Sequence, residues 1–292
     1  MGYDRVFKTQ KMRLMNRMKL VVYSLILVLS CFSSQKSYGQ GQVSAKNILV
    51  FTKNGEGFKH DNIEASSQAI VRLGEELGFK VTVSEDSKIF NPEELRRYTM
   101  VVFANTNNEV FEQDVERLAF RQFVQAGGTV LGIHSVLGTE RNWKWFSQLV
   151  GGTFVWHPRK QNLRVIKIKE HSSVEGLPTF WELEDECYFT KSFYPGIENV
   201  LAVDLNRLTK EAKDQLPNYI SSFGMLHPVT WHQAYDGGHV WVTSLGHNKE
   251  IYQDATFLKH LKQGIQYLLT RYKGLDYEKV SVRHFDEGLM YE

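Results

Sequence analysis

Short apolar segments alternate with helical segments over residues 48–133, and this alternation restricts the possible folds more than any other feature of the chain. The apolar segments are rich in Val, Ile and Phe, which is typical of strands buried on both faces of a parallel sheet. The four predicted strands cover residues 48–52, 79–83, 100–104 and 129–133. A repeated strand–helix order predicts an α/β fold with a doubly wound, mostly parallel sheet and helices on both faces.

The segments between these strands have helical features. In the first of them, Asp61 followed by Glu64 resembles a capping box, and Gly78 stands where a helix would end. A later segment has apolar residues at the spacing of one helix face. The predicted helices cover residues 61–77, 92–98, 111–126 and 254–269.

The second half of the chain predicts additions to this sheet. Residues 163–168 alternate like an edge strand, and residues 229–232 and 239–245 flank a glycine-bearing turn, which predicts an added β-hairpin. No repeat or low-complexity linker divides the chain. We therefore expect one α/β domain over residues 46–270, followed by a C-terminal tail over residues 271–292 that wraps the domain or is mobile.

The first 40 residues have the composition of an export signal. Six basic residues precede an apolar run over residues 20–29, which is too short to span a bilayer. Small residues before Gln40 fit cleavage of a signal peptide; alternatively, a lipoprotein signal ends before Cys31, which would carry the lipid. An uncleaved anchor is the third alternative. Either main route predicts export, to the periplasm or as an outer-membrane lipoprotein of a Gram-negative bacterium, with membrane contact only through Cys31.

The charge of the body of the chain argues against nucleic-acid binding. Of the 35 Lys and Arg residues, seven lie in the first 40 positions together with one of the 33 acids, so the remainder holds 28 bases and 32 acids. A mildly acidic body offers no broad basic surface for a phosphate backbone. No glycine-rich dinucleotide or Walker-type motif follows a predicted strand either.

A histidine occupies the position where many α/β enzymes carry a nucleophile. His134 follows Gly132-Ile133 at the end of the fourth predicted strand, as in a strand-to-helix elbow. Ligands of open α/β sheets bind at the carboxyl ends of strands. His60 follows the first strand, so the two imidazoles would meet in one crevice if strands 1 and 4 were neighbours. Cys187 lies beside acidic residues, which disfavours a thiolate nucleophile.

Two kinds of chemistry are compatible with these histidines. For acid–base catalysis the candidates are His134, His60 and Glu140. For a divalent metal such as Zn²⁺ the candidate ligands are His60, His134 and His247, although no tight motif fixes their spacing. The alternative is that the histidines only form hydrogen bonds in a polar pocket.

Aromatic and polar residues in the second half of the chain are candidates for substrate binding. Tryptophan rings pack against the C–H faces of sugars, and acidic or histidine side chains bind hydroxyl groups. The alternative for each tryptophan is packing in the core, and for the acidic residues it is a solvated loop. The candidates are Trp143, Trp145, His157, Trp231 and Asp185.

Seven short motifs occur in order along the chain. They are Ile48-Leu49-Val50-Phe51-Thr52-Lys53, Gly57-Phe58-Lys59-His60-Asp61, Gly132-Ile133-His134, His157-Pro158, His227-Pro228-Val229-Thr230-Trp231, Tyr235-Asp236-Gly237-Gly238 and Ser244-Leu245-Gly246-His247. Together they resemble the ThuA-like (trehalose utilization) family of the class I glutamine amidotransferase-like superfamily. The resemblance implies a flavodoxin-like fold and a role in the metabolism of trehalose and related glycosides, through 3-keto-sugar intermediates.

The resemblance and the residues together predict an exported carbohydrate-metabolism protein. It would act on trehalose-like glycosides or their 3-keto derivatives by histidine-based acid–base or metal-assisted chemistry, without a covalent nucleophile. Its partner would be a small-molecule carbohydrate. Glutaminase activity is not expected, because that chemistry needs a cysteine where His134 stands. A non-catalytic sugar-binding or scaffold domain is one alternative, and a zinc hydrolase of amides or esters is another.

Overall fold

The computed structural model describes residues 46–216 and 224–288; the predicted signal segment and Cys31 lie outside them. The strands in this part are β1 (Asn47–Phe51), β2 (Lys80–Ser84), β3 (Met100–Ala104), β4 (Thr129–Ile133), β5 (Thr153–Trp156), β6 (Gln161–Lys167), β7 (Phe180–Asp185), β8 (Phe189–Lys191), β9 (Glu198–Asp204), β10 (Leu226–Tyr235) and β11 (Gly238–Thr243). The helices are α1 (Ile63–Leu77), α2 (Pro92–Leu95), α3 (Asp114–Gln125), α4 (Lys144–Leu149), α5 (Lys210–Asp214) and α6 (Ala255–Arg271).

The described residues form a nine-stranded mixed sheet and a separate two-stranded one. The large sheet has the order β2-β1-β3-β4-β11-β10-β9-β6-β7, and β5 pairs with β8. The half from β2 to β11 is parallel, whereas the pairs from β11 to β7 are antiparallel. This confirms the predicted doubly wound α/β fold with its added hairpin of β10 and β11. The order of the first four strands is that of flavodoxin-like folds.

The sheet order does not meet one condition stated for the sequence, and it corrects one predicted strand position. β3 lies between β1 and β4, so the first and fourth strands are not neighbours. β6 is not an edge strand, because β9 and β7 pair with it on its two sides. Its alternating pattern reflects one face covered by the core and one exposed face, and that pattern also occurs in interior antiparallel strands.

Strands β1, β3, β4 and β11 each contribute side chains to a core on both faces of the sheet, whereas the edge strand β2 has no buried residue. Val50 and Leu131 belong to the cluster that packs with α1 and α6. Leu49 and Val130, one residue away in each strand, belong to the cluster that packs with α3 and α4. Successive side chains of a strand point to opposite faces, so runs of apolar residues are needed where helices cover both faces.

The first helix does not begin with the predicted capping box. Its N-cap is Asn62, which makes no side-chain cap hydrogen bond. Instead, Nδ2 of Asn62 donates to the carbonyl oxygens of Gly246 (2.7 Å) and His247 (2.8 Å). The side chain that would cap the helix is therefore used to hold a distant loop.

The C-terminal segment that the structure describes packs against α3. The backbone N–H groups of Ser281 and Val282 donate to Oε1 of Gln125, at 2.8 and 3.0 Å. Nη1 of Arg121 donates to the carbonyl oxygen of Phe285 at 2.9 Å. Within residues 46–216 and 224–288, no helix is long and apolar enough to cross a membrane.

Candidate functional site

Three histidines meet at the carboxyl edge of the parallel strands. His60 follows β1, His134 follows β4 and His247 follows β11. One ring nitrogen of each lies within 4.8 Å of those of the other two. The predicted convergence of His60 and His134 is found although β3 separates their strands, because the loop after β1 reaches across the end of β3.

His134 occupies a strained elbow. Its φ of 50° lies in the left-handed region, which a side-chain-bearing residue rarely adopts and which costs about 1–3 kcal/mol. Nδ1 lies 2.8 Å from the carbonyl oxygen of Ser244. A carbonyl only accepts, so Nδ1 carries the proton and the neutral ring keeps a lone pair on Nε2. That Nε2 is buried without a hydrogen-bond partner.

His60 and His247 complete the imidazole cluster. The ring centroid of His60 lies 5.1 Å from that of His134 and 5.5 Å from that of His247. Nε2 of His60 contacts the hydroxyl of Tyr188 at 3.3 Å, and its buried Nδ1 has no partner. Unpartnered buried nitrogens are uncommon in folded proteins, and here Nδ1 of His60 and Nε2 of His134 belong to one cluster.

Glu186 joins the cluster through both of its carboxylate oxygens. Oε2 lies 3.0 Å from Nδ1 of His247 and 3.7 Å from Nε2 of His134, while Oε1 lies 3.4 Å from Nδ1 of His157. The sequence indicated an acidic pair at this place, but only Asp185 was a predicted site residue. Because β7 ends at Asp185, the next side chain projects from the strand end, and this position is the signal that could have identified Glu186.

Asp185 lies behind the site and holds its loop. Oδ2 accepts the backbone N–H of Gly246 at 2.7 Å, and Oδ1 accepts that of His247 at 2.9 Å. Burial raises the pKa of Asp185 to about 6, whereas these backbone donors favour its ionised form. The carboxylate therefore fixes the backbone that carries His247 and does not line the cavity itself.

Burial and neighbouring charges separate the protonation states of the three histidines. Burial, with the nearby His247, lowers the pKa of His60 to about 4. Burial also lowers the pKa of His134 well below 6.5. The hydrogen bond with Glu186 raises the pKa of His247. Two neutral imidazoles thus stand beside an imidazole–carboxylate pair that carries a proton more readily.

His60, Glu186 and His247 line a cavity of about 470 Å³, whereas the fully buried His134 lies beside these side chains and does not line it. This volume lies within the range of small-molecule sites. His157, which is half-buried, is part of the wall, as its predicted role in substrate binding requires. The lining residues are Phe58, His60, Asn107, Ser135, Gly138, Arg141, Phe154, His157, Glu186, Tyr188 and His247.

Comparison with known proteins identifies the family. The ThuA family model, described as trehalose utilisation, matches residues 47–268. The chain belongs to the ThuA family. No curated protein matches it.

Solved structures with a similar fold include other ThuA-like proteins. One from Bacteroides uniformis is 19% identical with a TM-score of 0.64, over 83% of this chain and 99% of that chain. One from Parabacteroides merdae is 18% identical with a TM-score of 0.59, over 79% and 91%. A cytoplasmic protein from Salmonella typhimurium is 11% identical with a TM-score of 0.52, over 76% and 98%. At these identities the similarity shows the ThuA fold alone.

The three tryptophans predicted to stack on substrate lie in the core of this ThuA-family chain, and the expectation is corrected accordingly. Nε1 of Trp143 donates to the carbonyl of Phe285, that of Trp231 to the carbonyl of Val150, and that of Trp145 to Oδ2 of Asp236. All three rings are buried among apolar residues, so no ring face is open to a sugar. Packing, the alternative for each of them, is what the structure shows.

Glu140 also lies outside the cavity, so the structure does not support its predicted catalytic role. It is fully buried, and Oε1 accepts the backbone N–H groups of Val110 (2.7 Å) and Phe111 (3.0 Å). Oε2 accepts Nε of Arg117 at 2.8 Å. With its oxygens engaged in this way, the carboxylate holds the loop after β3 and is not available to a substrate.

Cys187 is buried as a free thiol in the described part of the chain. Burial raises its pKa, which keeps it protonated and unreactive. A second cavity, of about 560 Å³, lies at the opposite end of the sheet beside the turn at Asp236 and Gly237. It lacks a buried cluster of imidazoles, so we place the chemistry in the cavity lined by His60, Glu186 and His247.

Proposed function

We propose that this ThuA-family chain acts on trehalose-like glycosides or their 3-keto derivatives, and that with a 3-keto-glycoside it moves a proton at the carbon next to the keto group. The observation that carries the proposal is the meeting of three imidazoles with the Glu186 carboxylate at one cavity wall. Perturbed ionisable groups in a cavity are the usual mark of acid–base catalysis. The family description supports the sugar class.

In this proposal, Glu186 takes the proton from the carbon beside the keto group. The carboxylate lies between His157 and His247, whose ring nitrogens lie 3.4 and 3.0 Å from its oxygens. The proton can pass to His247, because its pKa is raised by that contact. The proton on His247 is then available to the sugar oxygen, which develops negative charge in the same step.

The residues also fit a divalent cation such as Zn²⁺ held by His60, His134 and His247. Ligating histidines are neutral and donate their other ring N–H to a carbonyl or carboxylate. Nδ1 of His134 donates to the Ser244 carbonyl, and its Nε2 is unpartnered in the buried interior. Nδ1 of His247 lies 3.0 Å from Glu186. When bound, such a cation would polarise the sugar carbonyl as a Lewis acid, and His247 would then be a ligand and not the proton donor.

The catalytic proposal is tested by turnover of 3-keto-trehalose. We expect the wild type to convert it and Glu186→Gln to lose at least about 100-fold in kcat/KM, since acid–base groups contribute on that scale. We expect His134→Ala to lose activity as well, because the His134 ring packs against the rings of His60 and His247. His239→Ala is the matched control, because this half-buried histidine lies at the other cavity. Equal turnover by His134→Ala and the wild type would remove His134 from the reaction. Binding of glycoside without any turnover would favour the non-catalytic sugar-binding alternative.

The cation proposal is tested by metal analysis of protein purified without chelators. We expect about one equivalent of Zn²⁺ per chain in the wild type and in His239→Ala, and a loss of that metal in His134→Ala. Equal metal content in His134→Ala and the wild type would place the metal elsewhere. Turnover of the sugar by metal-free wild type would show that the acid–base chemistry of the site needs no metal.

We also propose that the segment over residues 1–40 exports the chain. Its basic residues and short apolar run support the proposal. Mass spectrometry of the mature protein tests it: we expect an N-terminus at Gln40, or a lipid-modified Cys31 in the lipoprotein case. An unprocessed chain starting at Met1 in the cytoplasm would contradict export.

A further inference from the structure

An exposed phenylalanine stands at the mouth of the histidine cavity. Phe58 lines this cavity, and 64% of its surface is exposed. The rings of Phe58 and His60 pack edge to face, with their centroids 4.8 Å apart. An exposed aromatic ring beside a functional cluster is a common sign of a ligand surface, since burial would otherwise stabilise the fold.

The loop that carries Phe58 is braced against the next loop. The N–H of Gly55 donates to the carbonyl of Asn107 at 2.9 Å, and Nδ2 of Asn107 donates to the carbonyl of Phe58 at 3.2 Å. Gly57 has a φ of 125°, which glycine adopts readily and which sets the direction of the chain before Phe58. The backbone that carries the exposed ring is therefore held in place before any ligand arrives, which lowers the entropy cost of ordering the loop on binding.

Phe154 and Arg141 line the same cavity. The Phe154 ring packs on Tyr188, with centroids 4.3 Å apart. Arg141 lies with Cζ 5.9 Å from the centre of the Phe154 ring, and its Nε donates to the carbonyl of Gly138 at 3.0 Å. Within the described residues, no carboxylate lies within 4.0 Å of this guanidinium. Nη2 also donates to Oδ1 of Asn107 at 3.4 Å, and the N–H groups that remain can donate to sugar hydroxyls.

We infer that Phe58, Phe154 and Arg141 form a second sugar subsite, so that the substrate is a glycoside with two rings and not a free monosaccharide. The reacting ring lies at the histidines, and the second ring packs its C–H face on Phe58 while Arg141 donates to its hydroxyls. The inference rests on the proposed function. The role of packing against the sugar, which the sequence predicts for tryptophans, then belongs to the two phenylalanines of this cavity.

The two-ring inference is tested by calorimetric binding of trehalose and of methyl glucoside, which lacks the second ring. We expect Phe58→Ala to weaken trehalose binding about tenfold and to leave methyl glucoside within about twofold, as one stacking contact implies. Phe58→Trp should retain trehalose binding. Phe180→Ala is the matched control, because Phe180 is 54% exposed on β7 and does not line this cavity.

Each outcome separates the subsite from the proposed function. Trehalose binding by the wild type that is unchanged in Phe58→Ala overturns the subsite and leaves the proposed function intact. Equal weakening of both ligands in Phe58→Ala also overturns it, because the ring would then act on the reacting sugar. A wild type that binds neither trehalose nor methyl glucoside, nor their 3-keto derivatives, overturns both proposals. Binding does not depend on turnover, so loss of catalysis alone cannot mimic these results.

Discussion

At the scale of single residues, the site depends on one histidine held in an unfavourable backbone conformation. His134 has a positive φ, a fully buried ring and a single hydrogen bond to a main-chain carbonyl. Backbone strain of this kind is concentrated at functional sites. We therefore infer that the position of the His134 ring serves the site. The elbow thus keeps the geometry of a nucleophile position while presenting a lone pair of an imidazole nitrogen.

Glu140 provides the clearest prediction at this scale, because its role is structural. Glu140→Gln replaces one carboxylate oxygen by an amide N–H₂ group, which cannot accept the hydrogen bonds that the backbone and Arg117 donate there. Arg117 also loses the negative charge of its buried partner. We expect Glu140→Gln to lower the free energy of unfolding by about 3 kcal/mol. Chemical denaturation measures it, with Glu75→Gln, an exposed position on α1, as the control. A change below about 0.5 kcal/mol would contradict the structural role.

At the scale of elements, the loop after β11 is the part that assembles the site. Asp185 holds it from β7, and Asn62 holds it from the start of α1. The hydroxyl of Tyr252 donates to the carbonyl of Gly246 at 2.9 Å. Three separate elements therefore fix the position of His247.

Asp185→Asn tests the function of this loop. An amide offers only one acceptor oxygen to the two backbone N–H groups of Gly246 and His247, so the position of His247 should loosen. We expect kcat/KM to fall about 10- to 100-fold while the fold is retained, as for groups that orient metal ligands. Steady-state kinetics on 3-keto-trehalose measures this fall, with Glu184→Gln, an exposed neighbour on β7, as the control. Unchanged kinetics would show that His247 needs no such support.

The elements could largely be predicted from sequence because local pattern encodes them. The apolar runs of β1, β3 and β4 were predicted nearly residue for residue, as was the long helix α6. The local sequence does not encode which distant segments will contact one another. Nothing near Trp231 indicates that its ring would pack in the core, and nothing near Glu186 indicates that three histidines from other segments would surround it.

At the scale of the whole molecule, the fold buries several neutral histidines. His227 is fully buried, and burial lowers its pKa to about 4; burial lowers that of His260 to about 3. Nε2 of His227 donates to the carbonyl of Tyr188, and Nε2 of His260 contacts Oγ1 of Thr243 at 3.0 Å. These rings are hydrogen-bonded parts of the core and are separate from the candidate site.

These two histidines predict a loss of stability in acid. In the unfolded chain they take up protons as the pH falls below about 6.5, whereas in the folded chain they do so only near pH 4 and 3. Stability is therefore full above pH 6.5 and falls below it, by on the order of 3 kcal/mol per histidine at pH 4. Urea unfolding at pH 7, 5.5 and 4 measures the fall. In His260→Gln, the slope of the free energy of unfolding against pH should correspond to the uptake of about one proton fewer on unfolding. An unchanged slope would contradict the assignment.

Solvent deuterium exchange tests the central claim, that the group around His134 and Glu186 moves a proton beside a sugar carbonyl. Incubation of 3-keto-trehalose in D₂O, followed by NMR, measures incorporation at the carbon next to the keto group. We predict rapid incorporation with the wild type and His239→Ala, and background rates with Glu186→Gln and His134→Ala. Background exchange with the wild type, or wild-type exchange with Glu186→Gln and His134→Ala, would contradict the account.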